Sequence, residues 1–382
     1  MNNMLLKKLD DIENEYIEFW KDICNIESPT EYKAGVDAVG EYIIEKAKKR
    51  GWKIDVQNQE ISGNAICITM NTDSSEKPIC FSAHMDTVHP IGFFGNPPVK
   101  LDNEKIYGPG VVDCKGGIAS SFMAMAALDD IGFRKRPVKL ILQSDEENGS
   151  RNSDKTTTEF MAECAKGCIG FINCEGYTRG KVIMERKGIR KYKFEITGKA
   201  AHSGRCFDGV SAIREAAYKI IELEKLKDKD SITCNCGTIS GGTAENTVPE
   251  KCTFTADIRF RTTEDMENAD RLIKEIAQKS FVDGTSCNLT LVSWRYPMEK
   301  SSRNYELLEK INTIFKKNNM ISLEPALSVG GSDAADMTHY GIACIDNLGT
   351  SGEYIHSQRE YSHLYSLKES AQMLGVTALN IE

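Results

Sequence analysis

Three short apolar runs in the sequence each end in side chains that can bind metal ions or transfer protons. They are residues 78–82, followed by His84 and Asp86, residues 138–143, followed by Glu146 and Glu147, and residues 168–173, followed by Glu175. Such runs, rich in β-branched residues and leucine, are typical of buried strands. In α/β enzymes the carboxyl ends of the strands carry the functional site. The repeated pattern is hard to explain by packing alone, and it predicts an α/β fold with a central mixed, mainly parallel sheet.

Segments whose apolar residues recur at helical spacing lie before and between these runs. In the first fifty residues it is set by Leu5, Leu9, Ile12, Tyr16 and Trp20, and it is interrupted by a Ser-Pro pair at 28–29. A second helix, rich in alanine and methionine, is predicted over residues 118–128. We therefore expect helices to flank the sheet.

The pattern changes at about residue 188. Half-exposed strands are predicted over 191–197, 252–261 and 287–292, and amphipathic helices over 210–226 and 265–279. These elements predict a small α+β (ferredoxin-like) domain, and a chain of 382 residues is too long for one ordinary core. We predict a larger catalytic domain formed by residues 1–186 and 296–382, into which a lid domain of residues 187–295 is inserted.

Charge and composition exclude several classes of function. With 56 acidic and 48 basic residues the formal net charge is -8, which disfavours binding to nucleic acid or to acidic membranes. The sequence has neither a membrane-spanning apolar run nor the apolar core of a signal peptide. Its thirteen cysteines are scattered and lack a C-x-x-C pair, which argues against a structural zinc site and for a reducing, cytoplasmic compartment. Cys234 and Cys236 are the nearest approach to a pair.

Several short motifs offer metal ligands or proton-transfer groups. Asp86 follows His84 at a spacing that lets a carboxylate orient a metal-binding imidazole. Asp113 is surrounded by glycines that would allow it to bridge two cations, although it could instead cap the helix that follows. Glu146 and Glu147 are adjacent, and burying such a pair requires a cation or a proton. In isolation the pair could equally be a solvated loop.

Taken in chain order, these motifs resemble the M20 family of metallopeptidases, most closely its glutamate carboxypeptidase (carboxypeptidase G2-like) branch. The matching stretches are His-Met-Asp-Thr from 84, Tyr-Gly-Pro-Gly from 107 leading to Asp113, Glu-Glu-Asn-Gly-Ser from 146, Glu175, Ile-Thr-Gly-Lys-Ala from 196 leading to His-Ser-Gly at 202, Gly-Gly-Ser-Asp-Ala from 330, and His356. The resemblance extends from about residue 80 to residue 363.

The resemblance implies two zinc ions in each subunit, with Co²⁺ or Mn²⁺ as possible substitutes. His84 and Glu175 would hold one ion and Glu147 and His356 the other, with Asp113 bridging them. Asp86 would orient His84. Glu146 would be the general base and acid.

The resemblance assigns further roles to the inserted domain, which would serve as a lid and as the contact of a homodimer. His202 would stabilise the oxyanion, usually of the partner chain, and Asn246 would be its companion. Arg259 would bind the substrate carboxylate, with Arg295 as a weaker alternative. His89, His339 and His363 are interpreted as structural, and Glu360 as either a partner of His356 or a surface ion pair. Asp333 is expected to shape a substrate pocket.

The implied function is zinc-dependent hydrolysis of an amide bond in a small peptide or N-acyl amino acid, with release of a carboxyl-terminal amino acid. Deacylation of an N-acyl amino acid, of the acetylornithine or succinyl-diaminopimelate type, and dipeptidase activity are the alternatives. A further alternative is a non-catalytic, metal-binding relative, but every position that the resemblance assigns to a metal ligand is filled in this sequence. The branch that uses a His-Ala-Cys-Gly-His-Asp motif is excluded, and Glu175, where tripeptidases tend to carry Asp, argues against a tripeptidase.

Overall fold

The computed structural model describes residues 1–228 and 230–382. The chain forms two compact units. The first contains Met1–Glu185, Lys300–Leu327 and Ser332–Glu382, and the second contains Arg186–Glu299 and Ser328–Gly331. The sequence analysis had assigned the short segment Ser328–Gly331 to the larger domain.

The elements of the first unit before the insertion are α1 (Asn2–Asn25), α2 (Lys33–Lys49), β1 (Lys53–Gln57), β2 (Ala65–Met70), β3 (Ile79–His84), β4 (Lys100–Leu101), β5 (Lys105–Tyr107), α3 (Lys115–Asp130), β6 (Val138–Gln143), α4 (Thr156–Ala165), β7 (Gly170–Asn173) and β8 (Lys181–Arg186). The elements of the second unit are β9 (Gly188–Thr197), β10 (Ala201–His202), α5 (Ala212–Glu224), β11 (Thr233–Gly241), β12 (Thr247–Val248), β13 (Lys251–Phe260), α6 (Thr263–Gln278) and β14 (Ser286–Arg295). The chain continues with α7 (Ser302–Lys317), β15 (Glu324–Ser328), α8 (Asp333–His339), β16 (Cys344–Asp346), β17 (Gly352–Glu353), β18 (Tyr361–His363) and α9 (Leu364–Asn380).

A large sheet forms the centre of the first unit, with the strand order β1-β2-β6-β3-β7-β16-β8-β15 in the described part of the chain. The neighbours β6, β3, β7 and β16 are parallel, whereas β1 and β2 at one side and β8 at the other pair antiparallel. Every residue of β2 and β3 is buried, which explains why these runs are mostly apolar and do not alternate with exposed polar residues. The predicted mixed α/β fold is confirmed.

Helix α3 lies in the middle of the core and is buried along nearly its whole length. It packs on β3 and β6, and α1 and α9 pack against it in turn. Small residues suit this position, because a Cβ added at Gly117 would lie 2.0 Å from the Cys174 carbonyl oxygen. The apolar residues that predicted the first helix are all buried. The close approach at Gly117 fixes the first turn of α3 against the end of β7.

A small antiparallel sheet with the order β17-β18-β5-β4 joins two segments that are distant in sequence. Tyr361 of β18 lies opposite Tyr107 of β5. The pairing places the turn before β18, which contains His356 and Glu360, beside the glycine-rich segment that follows β5.

The second unit is built on the antiparallel sheet β11-β13-β9-β14 with α5 and α6. In chain order these elements are strand, helix, two strands, helix and strand, the ferredoxin-like arrangement. Phe194 and Phe254 lie opposite each other on β9 and β13, with stacked rings 4.4 Å apart in its core. Helix α5 begins two residues later than predicted, because the Ser211 side chain accepts the Arg214 amide and caps it.

None of the helices in the described ranges is long and apolar enough to cross a membrane.

Candidate metal centre

Three neighbouring parallel strands bring their carboxyl ends together at one edge of the large sheet. Strand β3 ends at His84, β6 leads into a 3-10 turn, Glu146–Asn148, and β7 is followed by Cys174 and Glu175. Since β3 lies between β6 and β7, the side chains that follow these strands converge. Ligand atoms of His84, Asp113 and Glu147 lie within 4.8 Å of one another.

Asp113 lies between two imidazoles. Its Oδ1 is 2.9 Å from His84 Nε2, and its Oδ2 is 3.1 Å from His356 Nε2. His84 Nε2 is also 3.6 Å from Glu175 Oε1, and His356 Nε2 is 3.4 Å from Glu147 Oε2. The five side chains thus form two groups that share one carboxylate, and the structure brings together the residues that the sequence analysis assigned as ligands.

The carboxylates of this cluster are too crowded to remain charged without compensation. Burial, followed by the negative charge of Asp113, raises the pKa of Glu147 to about 8 and that of Glu175 well above its ordinary value. Although burial opposes it, His356 and His84 hold the pKa of Asp113 below its usual range. Among the described residues Glu147 Oε1 has no hydrogen-bond partner, and its side chain is 7% exposed. A donor set of imidazole and carboxylate groups with an orphaned oxygen fits divalent cations.

Asp86 is fully buried, and it holds other groups in position besides the His84 imidazole. The His84 Nδ1 atom is 2.9 Å from the Asp86 carbonyl oxygen and 3.3 Å from its Oδ1, so the main chain makes the closer contact. The carboxylate also accepts hydrogen bonds from the Glu146 and Glu147 amides, each at 3.1 Å, and from the Thr30 hydroxyl at 2.7 Å. Burial would raise the pKa of Asp86, but these contacts and His84 lower it. Asp86 therefore positions the turn Glu146–Asn148, called the glutamate turn below, as well as the His84 imidazole.

Glu360 fixes the glycine-rich loop that carries Asp113. Its carboxylate is 1% exposed and accepts the amides of Val112 at 2.9 Å, Asp113 at 3.3 Å and Gly110 at 3.4 Å. His89 Nε2 lies 3.1 Å from the same carboxylate. Gly110 has a φ of 71°, in the left-handed region that favours glycine. The interpretation of Glu360 as a surface ion pair is wrong, because the side chain is buried, and the contacts described for it are with this loop and with His89 instead of His356.

His356 is the most exposed of the five predicted ligands, with 54% of its side chain accessible. Its φ of 61° is unusual for a residue other than glycine. Hydrogen bonds to Asp113 and Glu147 raise its pKa to about 10. Such backbone conformations persist where the surrounding structure enforces them, often at functional sites.

The remaining predicted site residues lie in the second unit. His202 and Asn246 are exposed and adjacent, because His202 pairs with Thr247 and the Ser203 amide donates to the Asn246 carbonyl oxygen at 2.8 Å. The Gly204 amide donates to His202 Nδ1, at 3.1 Å.

Arg259 is also in the second unit, where its guanidinium contacts two groups. Its Nε is 3.0 Å and its Nη2 3.3 Å from the carboxylate of Asp257, and its Nη1 donates to the Val329 carbonyl oxygen. Arg259 is thus held by an acidic neighbour on its own strand.

Sequence reasoning missed Thr30 and His89 as supports of the site. Thr30 and Asp86 are 56 residues apart, and His89 and Glu360 are 271 apart. No local spacing signals contacts between residues so distant in the chain. The Ser-Pro break at 28–29 marks the end of a helix but gives no sign that Thr30 contacts a carboxylate.

Comparisons with known proteins agree with this arrangement. A sequence profile of peptidase family M20/M25/M40 matches residues 80–380. The chain is 26% identical over 381 residues to carboxypeptidase G2 of Pseudomonas sp. (strain RS-16), covering 97% of this chain and 90% of that protein. It is 25% identical over 385 residues to the succinyl-diaminopimelate desuccinylase of Rickettsia felis (strain ATCC VR-1525 / URRWXCal2), covering 93% of this chain and 96% of that protein.

The same fold is found in the crystal structure of the M20 family metallo-carboxypeptidase Sso-CP2 from Sulfolobus solfataricus. The TM-score is 0.77 at 17% identity, and the match covers 96% of this chain and 98% of that chain. The resemblance drawn from the motifs is confirmed. Because the family profile matches most of its length, this chain belongs to peptidase family M20/M25/M40 and is a hydrolase of peptide or amide bonds.

Proposed function

We propose that this protein is a two-zinc hydrolase that releases the carboxyl-terminal amino acid from a small peptide or an N-acyl amino acid. The observation that supports this most directly is the position of Asp113, whose two oxygens face His84 and His356 at 2.9 and 3.1 Å. A carboxylate between two imidazoles, each beside a further buried glutamate, suits a pair of cations.

In this proposal His84 and Glu175 hold one zinc ion, Glu147 and His356 hold the other, and Asp113 bridges them. When bound, zinc ions polarise the carbonyl group of the substrate and lower the pKa of water. Histidine and carboxylate sets of this kind also take Co²⁺ or Mn²⁺.

Glu146 is proposed as the general base and acid. It is 8% exposed, its amide is fixed by Asp86, and its negative charge acts on both Glu147 and Glu175. A carboxylate at this place would accept a proton from the attacking water and return it to the leaving amine. Asp86 would hold His84 and the glutamate turn in position throughout.

The second unit is proposed as the lid and as the source of substrate contacts. Its exposed His202, with Asn246 adjacent, would donate to the oxyanion. Arg259 would bind the terminal carboxylate through its planar guanidinium, although Asp257 already takes two of its nitrogens. The names of the relatives, a carboxypeptidase and a desuccinylase, both fit a substrate with a free carboxylate beside an amide bond.

A homodimer formed through the second unit belongs to the same proposal. Apolar side chains are exposed on its surface, with Ile221 of α5 at 55% and Ile239 of β11 at 56%, as expected of a surface that meets a partner. None of the cysteines in the described part of the chain forms a disulfide, which fits a reducing compartment such as the cytoplasm.

The test of the mechanism is Glu146→Gln, measured for zinc content and for turnover of N-acyl amino acids. We expect turnover to fall about 10²- to 10⁴-fold, the range for loss of a general base, while zinc content stays unchanged. Near-full activity with retained zinc would remove Glu146 as the base. Retained zinc with no activity in the wild type on any substrate would favour the non-catalytic alternative.

A substrate panel separates the carboxypeptidase from the deacylase and dipeptidase alternatives. Dipeptides and N-acetyl or N-succinyl amino acids would be compared with longer peptides, each with aspartate, glutamate, arginine or a hydrophobic residue at the carboxyl terminus. Matched carboxyl-terminal amides serve as controls. Equal kcat/KM for acids and amides would contradict recognition of a terminal carboxylate.

The dimer has its own test, based on mixing two inactive variants. If His202→Ala and Glu146→Ala each lack activity, mixed dimers should regain part of it when His202 serves the partner chain. Absence of rescue despite verified subunit exchange would place His202 in the site of its own chain.

A further inference from the structure

Cys114, the residue after Asp113, belongs to the same cluster as the proposed ligands. The side chain is fully buried. One ligand atom each of His84, Cys114 and Glu175 lie within 4.8 Å of one another. Two of these three residues are the ones proposed to hold a zinc ion, so the thiol lies within the same small volume.

The contacts of Cys114 keep its sulfur on this side of the cluster. Its Sγ donates to the Cys174 carbonyl oxygen at 3.1 Å, and Cys174 directly precedes Glu175. The backbone at Cys114 is fixed as well, since it caps α3 and its carbonyl oxygen accepts the amides of Gly117 and Ile118. The sulfur therefore lies near His84 and Glu175, and it would have to release its hydrogen bond to the Cys174 carbonyl oxygen to bind a cation between them.

We propose that Cys114 is a sulfur ligand of the zinc ion held by His84 and Glu175, an inference that rests on the proposed function. On binding, the S–H bond breaks, the proton leaves to solvent, and a sulfur–metal bond replaces the hydrogen bond to the Cys174 carbonyl oxygen. Thiolate is a strong ligand for zinc, and it favours soft cations over Mn²⁺ and Mg²⁺.

A sulfur ligand makes the two proposed sites unequal. The first set becomes His84, Asp113, Glu175 and Cys114, four protein ligands, the number typical of closed zinc sites. The second set keeps Asp113, Glu147 and His356, three protein ligands, the number typical of catalytic zinc sites. The chemistry would then belong to the second cation, and the first would hold the bridging carboxylate in place.

The test uses Co²⁺ added stepwise to the metal-free, full-length protein. Visible absorption reports cobalt bound by any ligand, whereas near-ultraviolet charge-transfer absorption appears only when a thiolate binds it. We expect the near-ultraviolet band to saturate at one Co²⁺ per chain and to be lost in Cys114→Ser. Cys174→Ser is the matched control, because its thiol is also buried but accepts from the Ser121 hydroxyl, and it should keep the band.

X-ray absorption of the zinc-loaded wild type provides a second measurement that needs no variant. A sulfur neighbour at about 2.3 Å from zinc is expected. Cobalt that binds without the near-ultraviolet band, or zinc without a sulfur neighbour, would overturn the role of Cys114 and leave the metal centre intact. A protein that binds no cobalt or zinc would overturn both. A band that survives Cys114→Ser would assign the sulfur to another cysteine.

Discussion

The proposed site residues divide between two regions that are built in different ways. In the first unit the proposed ligands His84, Glu147 and Glu175 follow buried strands, and Asp86 and Glu360 fix the surrounding main chain, although His356 is 54% exposed. In the second unit His202 and Asn246 are exposed on short strands and turns. The fold itself positions the first region, whereas exposed side chains in the second require a substrate or another chain to fix them. Changes to the proposed ligands of the first region, or to the residues that fix them, should affect metal binding and stability, and changes in the second region should affect turnover alone.

The largest effect is expected from Asp113→Asn. The change removes the negative charge that both imidazoles share, so both cations should be lost together. Loss of a hydrogen-bond partner of a metal ligand can lower activity about 100-fold. Loss of the bridging ligand itself should lower it further. Zinc content by mass spectrometry and kcat/KM would be measured together. Full loading with two zinc ions per chain would contradict the bridging role.

His202→Ala examines the second region. Loss of one oxyanion donor costs about 10²- to 10³-fold in kcat, and we expect this loss with unchanged zinc content and unchanged thermal stability. Half-buried His363, at the start of α9, supplies the control His363→Ala, which should keep full activity. A fall in zinc content in His202→Ala would break the division between the two regions.

A smaller effect is expected from Glu360→Gln. The amide keeps one oxygen for the Asp113 loop but lacks the negative charge, so zinc affinity should fall about 10- to 100-fold. Competition with a chelator measures the affinity. The exposed Glu353, on the neighbouring strand β17, supplies the control Glu353→Gln. Equal affinity in Glu360→Gln and the wild type would show that the loop holds Asp113 without this carboxylate.

The smallest effect is a pH dependence of the metal-free protein. Burial and the charge of Asp113 raise the pKa of Glu147 from 4.5 to about 8, so between these values the folded state binds more protons and loses stability as the pH rises. His356 acts in the same direction, because hydrogen bonds to Asp113 and Glu147 raise its pKa from 6.5 to about 10.

Thermal unfolding of chelator-treated protein at pH 6 and pH 8.5 measures this dependence. The melting temperature should be lower at the higher pH, and saturation with zinc should reduce the difference because the cation compensates the carboxylates. An increase in stability from pH 6 to pH 8.5 in the metal-free protein would contradict the crowding of charges at this site.

Several parts of the structure follow from local sequence patterns. Buried strands such as β3 are mostly apolar, and helix α1 buries its periodic residues, so their type and place can be predicted from the sequence pattern. The ends of helices are predicted less accurately, because the geometry of the turn decides which residue, here Ser211, caps the helix. The extent of the second unit also differs, since Ser328–Gly331 joins it from a distant part of the chain.

The sequence by itself determined the types of the proposed ligands, their order along the chain and the kind of fold that carries them. Only the tertiary structure decided which groups meet. Asp113 lies between His84 and His356, although His356 is 243 positions after Asp113 in the chain. The two come together because β18 pairs with β5 and because Glu360 fixes the loop that carries Asp113. Likewise Cys114 is an ordinary buried cysteine in the sequence, and it becomes a candidate ligand only because the ends of β3 and β7 are adjacent. Contacts between residues so far apart depend on packing, which local spacing does not encode.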